Sequence, residues 1–242
     1  MRAHAETSPA THFKTQSEYG GPHPWQTSAP ARLIRRLMRS RAYTRWVEAY
    51  CDPLTVTGLA NLEAVDGPAI FVANHQSHMD TLVLLEAMPP RVKENLYFGA
   101  AADRWFVKGR RKLVLKPWYQ SIVLGNFPIV RGGGTKALDY ARWLLQRQCN
   151  ICIFPEGTRA TRDELGPFKT GAANLALECD VPVVPVYLSG LREIRPKGAL
   201  DAKPGQAGVD VLAPVRFVPG TPTVEATAVL RAILSRRHSG SV

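Results

Sequence analysis

At 242 residues, the chain is long enough for one sizeable α/β core with an appended helix and short for two independent cores. Its composition, 45% hydrophobic and 21% charged, excludes disorder throughout, and 31 Lys+Arg against 20 Asp+Glu give a net charge of +11 that favours polyanionic partners: membrane phosphates, nucleic acid or nucleotide donors. Four scattered cysteines, Cys51, Cys149, Cys152 and Cys179, do not make a secreted disulfide framework and fit a reducing, cytoplasmic setting.

Residues 1–30 carry Pro9, Gly20, Gly21, Pro22, Pro24 and Pro30 and lack the apolar core of a signal peptide, so they read as a flexible tail. Nowhere does a run of about 18 apolar residues occur, and no membrane-spanning helix is expected. Residues 31–52 form a basic amphipathic helix in this reading: Leu33, Ile34, Leu37, Met38, Trp46, Val47 and Tyr50 recur at helical spacing, with Arg32, Arg35, Arg36, Arg39 and Arg45 between them. Two readings of it are open. The helix can lie in a headgroup layer with its arginines on anionic lipid, or dock on the core with a solvated basic face. Arg41 interrupts the apolar stripe.

After Asp52-Pro53 the pattern alternates. Short β-like runs at 54–58, 69–73, 127–130, 151–154 and 183–188 are separated by helical stretches near 79–88, 136–148 and 170–179. A loop near 197–205, a strand near 209–212 and a terminal helix near 224–237 complete the chain. This predicts a single α/β domain over residues 53–238, with a mixed, mostly parallel central sheet flanked by helices. Cys149 and Cys152 make a C-x-x-C without a second pair or histidine cluster, and Cys152 lies in an apolar strand pattern where a buried cysteine is ordinary.

Two segments carry chemistry. Asn74-His75-Gln76-Ser77-His78-Met79-Asp80 follows the strand at 69–73 and leads into a helix, so His75 falls in a strand-to-helix loop at a carboxyl end, where open α/β sheets bind ligands. A neutral imidazole there can take a proton from a substrate hydroxyl, with Asp80 holding its other nitrogen. Ser77 to Asp80 equally fits a helix capping box, which would leave His75 unexplained; His78 competes with no assigned task. The second segment, Phe154-Pro155-Glu156-Gly157-Thr158-Arg159, ends the strand at 151–154. Its turn offers backbone N–H groups, a hydroxyl and a guanidinium fork suited to a phosphate, while an ordinary surface turn with a Glu–Arg pair fits the hexamer alone equally well.

Taken together and in order, these blocks resemble the glycerolipid acyltransferase family, typified by the 1-acyl-sn-glycerol-3-phosphate acyltransferases. The N-H-x-S-x-x-D block is Asn74, His75, Ser77 and Asp80; a glycine-to-arginine block runs Gly125-Asn126-Phe127-Pro128-Ile129-Val130-Arg131; F-P-E-G-T-R follows; and Val181-Pro182-Val183-Val184-Pro185-Val186 matches the V-P-x-x-P-V strand. Phe168-Lys169-Thr170-Gly171 is similar to the family's F-K-x-G step. The resemblance spans about residues 55–218. It implies a His75–Asp80 dyad acting without a covalent acyl-enzyme, and an acceptor glycerol phosphate held by Arg131, Glu156, Gly157, Thr158 and Arg159, with Gly125 shaping the turn before Arg131. It implies no cofactor and no metal. The expected donor is an acyl thioester, acyl-CoA or acyl carrier protein, and the acceptor 1-acyl-sn-glycerol-3-phosphate or a related lysolipid. Anionic membrane lipids, and no nucleic acid, are the expected partners of a cytoplasmic protein peripherally associated with the membrane.

One departure stands out. Where many relatives have a lysine after the strand that follows the first block, this chain reads Gly99-Ala100-Ala101-Ala102-Asp103-Arg104, so Arg104 substitutes or the acceptor differs. Beyond it, Lys108, Arg110, Arg111, Lys112 and Lys116 lie among Trp105, Phe106, Trp118 and Tyr119, either a headgroup or donor-phosphate contact or a solvated helix face. No G-x-S-x-G elbow supports a serine hydrolase. A non-enzymatic membrane-binding module explains the arginines but not the ordered blocks.

Overall fold

The computed structural model describes residues 21–107 and 116–240. The basic run Lys108, Arg110, Arg111 and Lys112 and the first 20 residues of the expected tail lie outside the described residues. Among the described residues seven strands, β1 (Cys51–Thr57), β2 (Ile70–Ala73), β3 (Leu96–Ala101), β4 (Asn126–Ile129), β5 (Asn150–Ile153), β6 (Val183–Ser189) and β7 (Gly205–Val211), form one sheet in the order β1-β7-β6-β2-β5-β3-β4. Every pairing is parallel except β6 with β7. The mixed, mostly parallel sheet expected from the alternating pattern is therefore present, with β3 added to the strands read from the sequence.

Parallel strands need both faces covered, because their crossovers put helices on each side. All four residues of the central strand β2 are buried, and its side chains alternate between two cores. Phe71 and Ala73 face the layer of α1 (Ala29–Tyr50) and α2 (Asp80–Ala87), whose Val47, Val83 and Leu84 are buried there. Ile70 and Val72 face α3 (Asp139–Gln146), α4 (Gly171–Cys179) and α5 (Thr223–His238), which supply Tyr140, Leu144, Ala172, Leu175 and Leu230. A β-strand's period of two thus builds two cores from one apolar run.

The helix α1 begins where the sequence provides start signals: Ser28 accepts a hydrogen bond from the Ala31 amide through its hydroxyl, and Pro30 sits in the first turn. Its packing reverses the expected arrangement. Arg35 (1% exposed) and Arg39 (9% exposed) point into the protein, while Leu33, Ile34, Leu37, Met38 and Trp46 are exposed. Arg35 donates to the carbonyls of Ile122 (3.0 Å) and Gln26 (3.0 Å) and to the Tyr97 hydroxyl (3.0 Å). Arg39 donates to the carbonyls of Val123 (2.9 Å), Lys93 (3.1 Å) and Leu124 (2.8 Å). The carbonyls at 122–124 belong to a single π-helical turn, Gln120–Leu124, whose irregular hydrogen bonding leaves acceptors for a guanidinium fork. Neither reading of α1 held arginines as its docking face.

The end of the expected tail is structured: a 3₁₀ turn covers Pro24–Thr27, and α1 begins at Ala29. Gln26 in the turn Pro24–Thr27 is fully buried; its amide donates to the carbonyls of Ser121 and Asn126, both at 3.3 Å, and its side-chain oxygen accepts from the Tyr140 hydroxyl. Polar punctuation reads as flexible until such partners are known. Gly125, which follows the π-turn, has φ +65°, and a Cβ there would lie 2.6 Å from Arg39 Nη2, so glycine is required by conformation and by the approach of α1.

Candidate active site

The strands β6, β2, β5, β3 and β4 are mutually parallel, so the loops leaving their carboxyl ends share one rim. His75 follows β2, Arg104 follows β3, Arg131 follows β4, the turn 154–159 follows β5, and the segment 190–198 follows β6. They border a cleft of about 1130 Å³ that reaches from Tyr43 and Trp46 of α1 to Lys169 and Lys197. Its lining divides by chemistry. Leu82, Phe98, Leu124, Ile129 and Val130 give apolar surface, and the end near His75 gathers cations.

Asp80 opens α2 and is fully buried, and three donors converge on its carboxylate. Oδ2 contacts His75 Nδ1 at 2.7 Å and accepts from the Gln76 amide at 2.7 Å, and Oδ1 accepts from the Ser77 amide at 2.9 Å. With the carboxylate an acceptor toward both amides, the geometry assigns the ring hydrogen to Nδ1 and leaves Nε2 with its lone pair. Ser77 is not the N-cap, which is Met79 without a side-chain cap; instead the Ser77 hydroxyl accepts from the Met79 amide (3.2 Å), and the Asp80 carboxylate that closes the loop also holds the imidazole. His75 stacks on Phe154, with ring centroids 4.2 Å apart, which fixes its plane.

Two buried amides that the sequence left without a task hold this loop to β6. Asn74 donates to the Leu188 carbonyl (2.9 Å) and accepts from the Leu188 amide (2.7 Å), and the Gln76 side chain accepts from the Leu191 amide (3.1 Å). Ser77 donates its hydroxyl to the Arg195 carbonyl at 2.7 Å.

The expected acceptor residues separate into three situations. Glu156 is buried and turned to the backbone: Oε1 accepts from the His75 amide at 2.8 Å and Oε2 from the Gly166 amide at 3.1 Å. Burial, against those two hydrogen bonds, pushes its carboxyl above the usual carboxylate range. Both oxygens are thus occupied, Oε1 in tying the 154–159 turn to the His75 loop and Oε2 in holding Gly166, and Glu156 does not border the cleft. Arg131 does border it, but forks onto Asp103 at the rim (Nη2 to Oδ2, 2.9 Å), with both side chains about half exposed. Gly157, Thr158 and Arg159 line the cleft directly.

Arg159 is 7% exposed and makes no hydrogen bond or ion pair among the described residues. Burial, followed by the charge of Arg104, lowers its guanidinium below the ordinary arginine range. Gly157 has φ +67°, and a Cβ there would lie 2.7 Å from Lys169 Nζ, so this turn and the Phe168-Lys169 step are in contact. His78 faces the same end, where burial and then the charges of Arg159, Arg104, His75 and Arg195 push it down to about 3, keeping it neutral beside Arg104, whose Nη2 lies 3.4 Å from its Nε2. Sequence reasoning passed over Arg195 and Lys197. Their signal was positional, since they follow the V-P-x-x-P-V strand and so return to the same rim.

Comparison with known proteins places this geometry in a context. A family model described as Acyltransferase matches residues 53–189. The chain is 32% identical over 147 residues to the chloroplastic 1-acyl-sn-glycerol-3-phosphate acyltransferase BAT2 of Brassica napus, covering 60% of this chain and 39% of that one. It is 30% identical over 153 residues to human 1-acyl-sn-glycerol-3-phosphate acyltransferase alpha, covering 61% and 50% respectively. The chain thus spans about half or less of the length of these relatives. The solved structure of the 1-acyl-sn-glycerophosphate acyltransferase PlsC from Thermotoga maritima superposes with a TM-score of 0.65 at 25% identity, covering 87% of this chain and 79% of that one.

Proposed function

Since the chain belongs to the acyltransferase family, we propose that it moves a fatty acyl group from an acyl thioester, acyl-CoA or acyl carrier protein, to the free hydroxyl of 1-acyl-sn-glycerol-3-phosphate or a related lysolipid. The observation that carries this reading is the His75–Asp80 pair at 2.7 Å on the rim of a cleft whose adjoining end holds the buried Arg159 guanidinium, without an acidic partner among the described residues.

In this reaction His75 Nε2 takes the proton of the acceptor hydroxyl as its oxygen attacks the thioester carbonyl carbon. Asp80 keeps the ring in the required tautomer and stabilises the imidazolium that forms. The tetrahedral intermediate collapses with cleavage of the carbon–sulfur bond, and the proton on Nε2 passes to the departing thiolate. The products are the ester and a free thiol. Arg159, with the Gly157-Thr158 backbone, holds the acceptor phosphate, and Arg131 joins only by leaving Asp103. Glu156 acts on the reaction through the position of His75.

Lipid substrates place this chemistry at an interface. Among the described residues no helix is long and apolar enough to cross a membrane. The exposed Leu33, Ile34, Leu37 and Met38 on α1 supply apolar contact for a bilayer surface, and the same helix lends Tyr43 and Trp46 to the cleft. The exposed Arg32 and Arg45 flank that stripe and favour anionic lipid. The membrane contact is therefore assigned to the apolar side chains of α1 and not to Arg35 and Arg39.

The test is thiol release from an acyl thioester with and without a lysophosphatidate acceptor. Acceptor-dependent release, reduced about 10²–10⁴-fold in a folded His75→Ala variant, is the expected result. Release to water alone would make the protein a hydrolase, and no release would leave a binding module. Leu33→Asp with Leu37→Asp should abolish sedimentation with anionic vesicles while sparing turnover of a short-chain, water-soluble acceptor; unchanged sedimentation would remove α1 from the interface.

A further inference from the structure

Five cationic side chains, Arg104, Arg159, Lys169, Arg195 and Lys197, border the same end of the cleft, and none is paired with a carboxylate among the described residues. By contrast Arg131, on the same cleft, forks onto Asp103, and Arg36, Arg142, Arg192, Arg216 and Arg237 away from it also meet acidic partners, while Arg35 and Arg39 are satisfied by carbonyls and a hydroxyl. The difference is not one of exposure alone. Arg159 is nine-tenths withdrawn from water, and Arg195 Nε is buried without an acceptor. Withdrawing cations from water without counter-charge is costly, and a bound anion offsets that cost.

Three of the five, Arg104, Arg195 and Lys197, lie outside every block that carries the family resemblance. Arg195 and Lys197 stand on the segment after β6; two contacts hold that segment against the site, and a third braces it internally. The Ser77 hydroxyl donates to the Arg195 carbonyl (2.7 Å), Arg195 Nη2 donates to the Leu200 carbonyl (3.0 Å), and Lys197 Nζ donates to Thr158 Oγ1 (3.0 Å). Lys197 is thereby placed on the turn that carries Arg159, and Arg195 is anchored to the loop that carries His75.

We propose that Arg195 and Lys197 are acceptor-selecting residues that complete the phosphate site with Arg159, favouring a phosphate monoester and disfavouring lysolipids whose phosphate bears a cationic head. This rests on the acyl-transfer reading above. A monoester dianion adds negative charge where five cations converge, whereas a phosphodiester with a quaternary ammonium brings one negative charge and a cation that those five repel. The guanidinium of Arg195 can present Nη1 to a phosphate oxygen while Nη2 stays on Leu200.

The experiment compares wild type with Arg195→Ala, Lys197→Ala and Arg195→Lys. Steady-state rates are measured with lysophosphatidate and with lysophosphatidylcholine on one donor, and glycerol 3-phosphate binding to the full chain is measured by calorimetry. The expected result is a KM for lysophosphatidate raised about tenfold or more in each alanine variant, with kcat changed less than about threefold. The preference for lysophosphatidate over lysophosphatidylcholine should fall, the donor KM should hold, glycerol 3-phosphate binding should weaken in parallel, and Arg195→Lys should recover part of the loss. Unchanged acceptor KM, a rise in donor KM instead, or equal loss toward both acceptors would overturn it. If wild type transfers to neither acceptor, the acyl-transfer reading fails, and calorimetry still decides the anion site: unweakened glycerol 3-phosphate binding in both alanine variants, or no binding to wild type, rejects it.

Discussion

Arg35 and Arg39 on α1 and Arg159 at the cleft are buried, as is the Nε of the partly exposed Arg195, yet they meet opposite surroundings. In the α1 pair every guanidinium nitrogen has an acceptor, five carbonyls and one hydroxyl in all, and none is a carboxylate. Burial, and next the charge of Arg35, lowers Arg39 to about 9. In the cleft pair, Arg159 has no partner among the described residues, and Arg195 has one carbonyl and a buried Nε without an acceptor. Burial therefore does not separate a structural cation from a ligand-binding one. The inventory of acceptors does, because a saturated fork has nothing left to offer a phosphate.

Three substitutions bear on that contrast. Arg39→Ala should be the most damaging, since it strips donors from the carbonyls of Lys93, Val123 and Leu124. Each unsatisfied buried group costs about 1–3 kcal/mol, so a loss of roughly 3–5 kcal/mol of stability is expected in denaturant unfolding. A well-folded Arg39→Ala protein of wild-type stability would break the contrast from the structural side.

Arg159→Ala should do the reverse. Removing a buried cation without partners should leave stability unchanged or raised. Acceptor kcat/KM should nonetheless fall about 10- to 150-fold, the equivalent of roughly 1.5–3 kcal/mol for a hydrogen bond to a charged group. Equal loss toward donor and acceptor would remove the phosphate assignment of this turn.

Glu156→Gln sharpens the comparison with a carboxylate in the structural role. An amide can accept from one of the His75 and Gly166 N–H groups but turns its own NH₂ toward the other. Stability should fall by about 1–3 kcal/mol. Because burial raises this carboxyl in the folded protein above its unfolded value, the folded state favours the protonated form: that contribution is fully present below the ordinary carboxylate value and is lost as pH rises above it through the folded value, and the Gln variant should lack that slope. A selective rise in acceptor KM without loss of stability would return Glu156 to the binding residues.

Much of this molecule was legible before folding was considered. Apolar runs bounded by turn residues gave six of the seven strands, and β3 escaped because Gly99-Ala100-Ala101 has little strand character; it is a strand through its pairings with β4 and β5. The spacing from His75 to Asp80 was readable as a dyad or as a cap, and the short loop lets one carboxylate hold both the imidazole and the Ser77 amide.

By itself the sequence determined the alternation of elements, the two covered faces of the sheet and the pairing open to His75 and Asp80, since these depend on side-chain periodicity and on groups five residues apart. Tertiary structure alone decided which way α1 faces, why Gly125 must be glycine, that Glu156 serves the backbone, and that Arg195 and Lys197 join Arg159. The physical reason is that a helical wheel records polarity but not partners. Carbonyls freed by a π-turn about 85 residues away can make the arginine face of α1 the buried one, and only parallel strands ending on one rim bring cations from separate segments around one cleft.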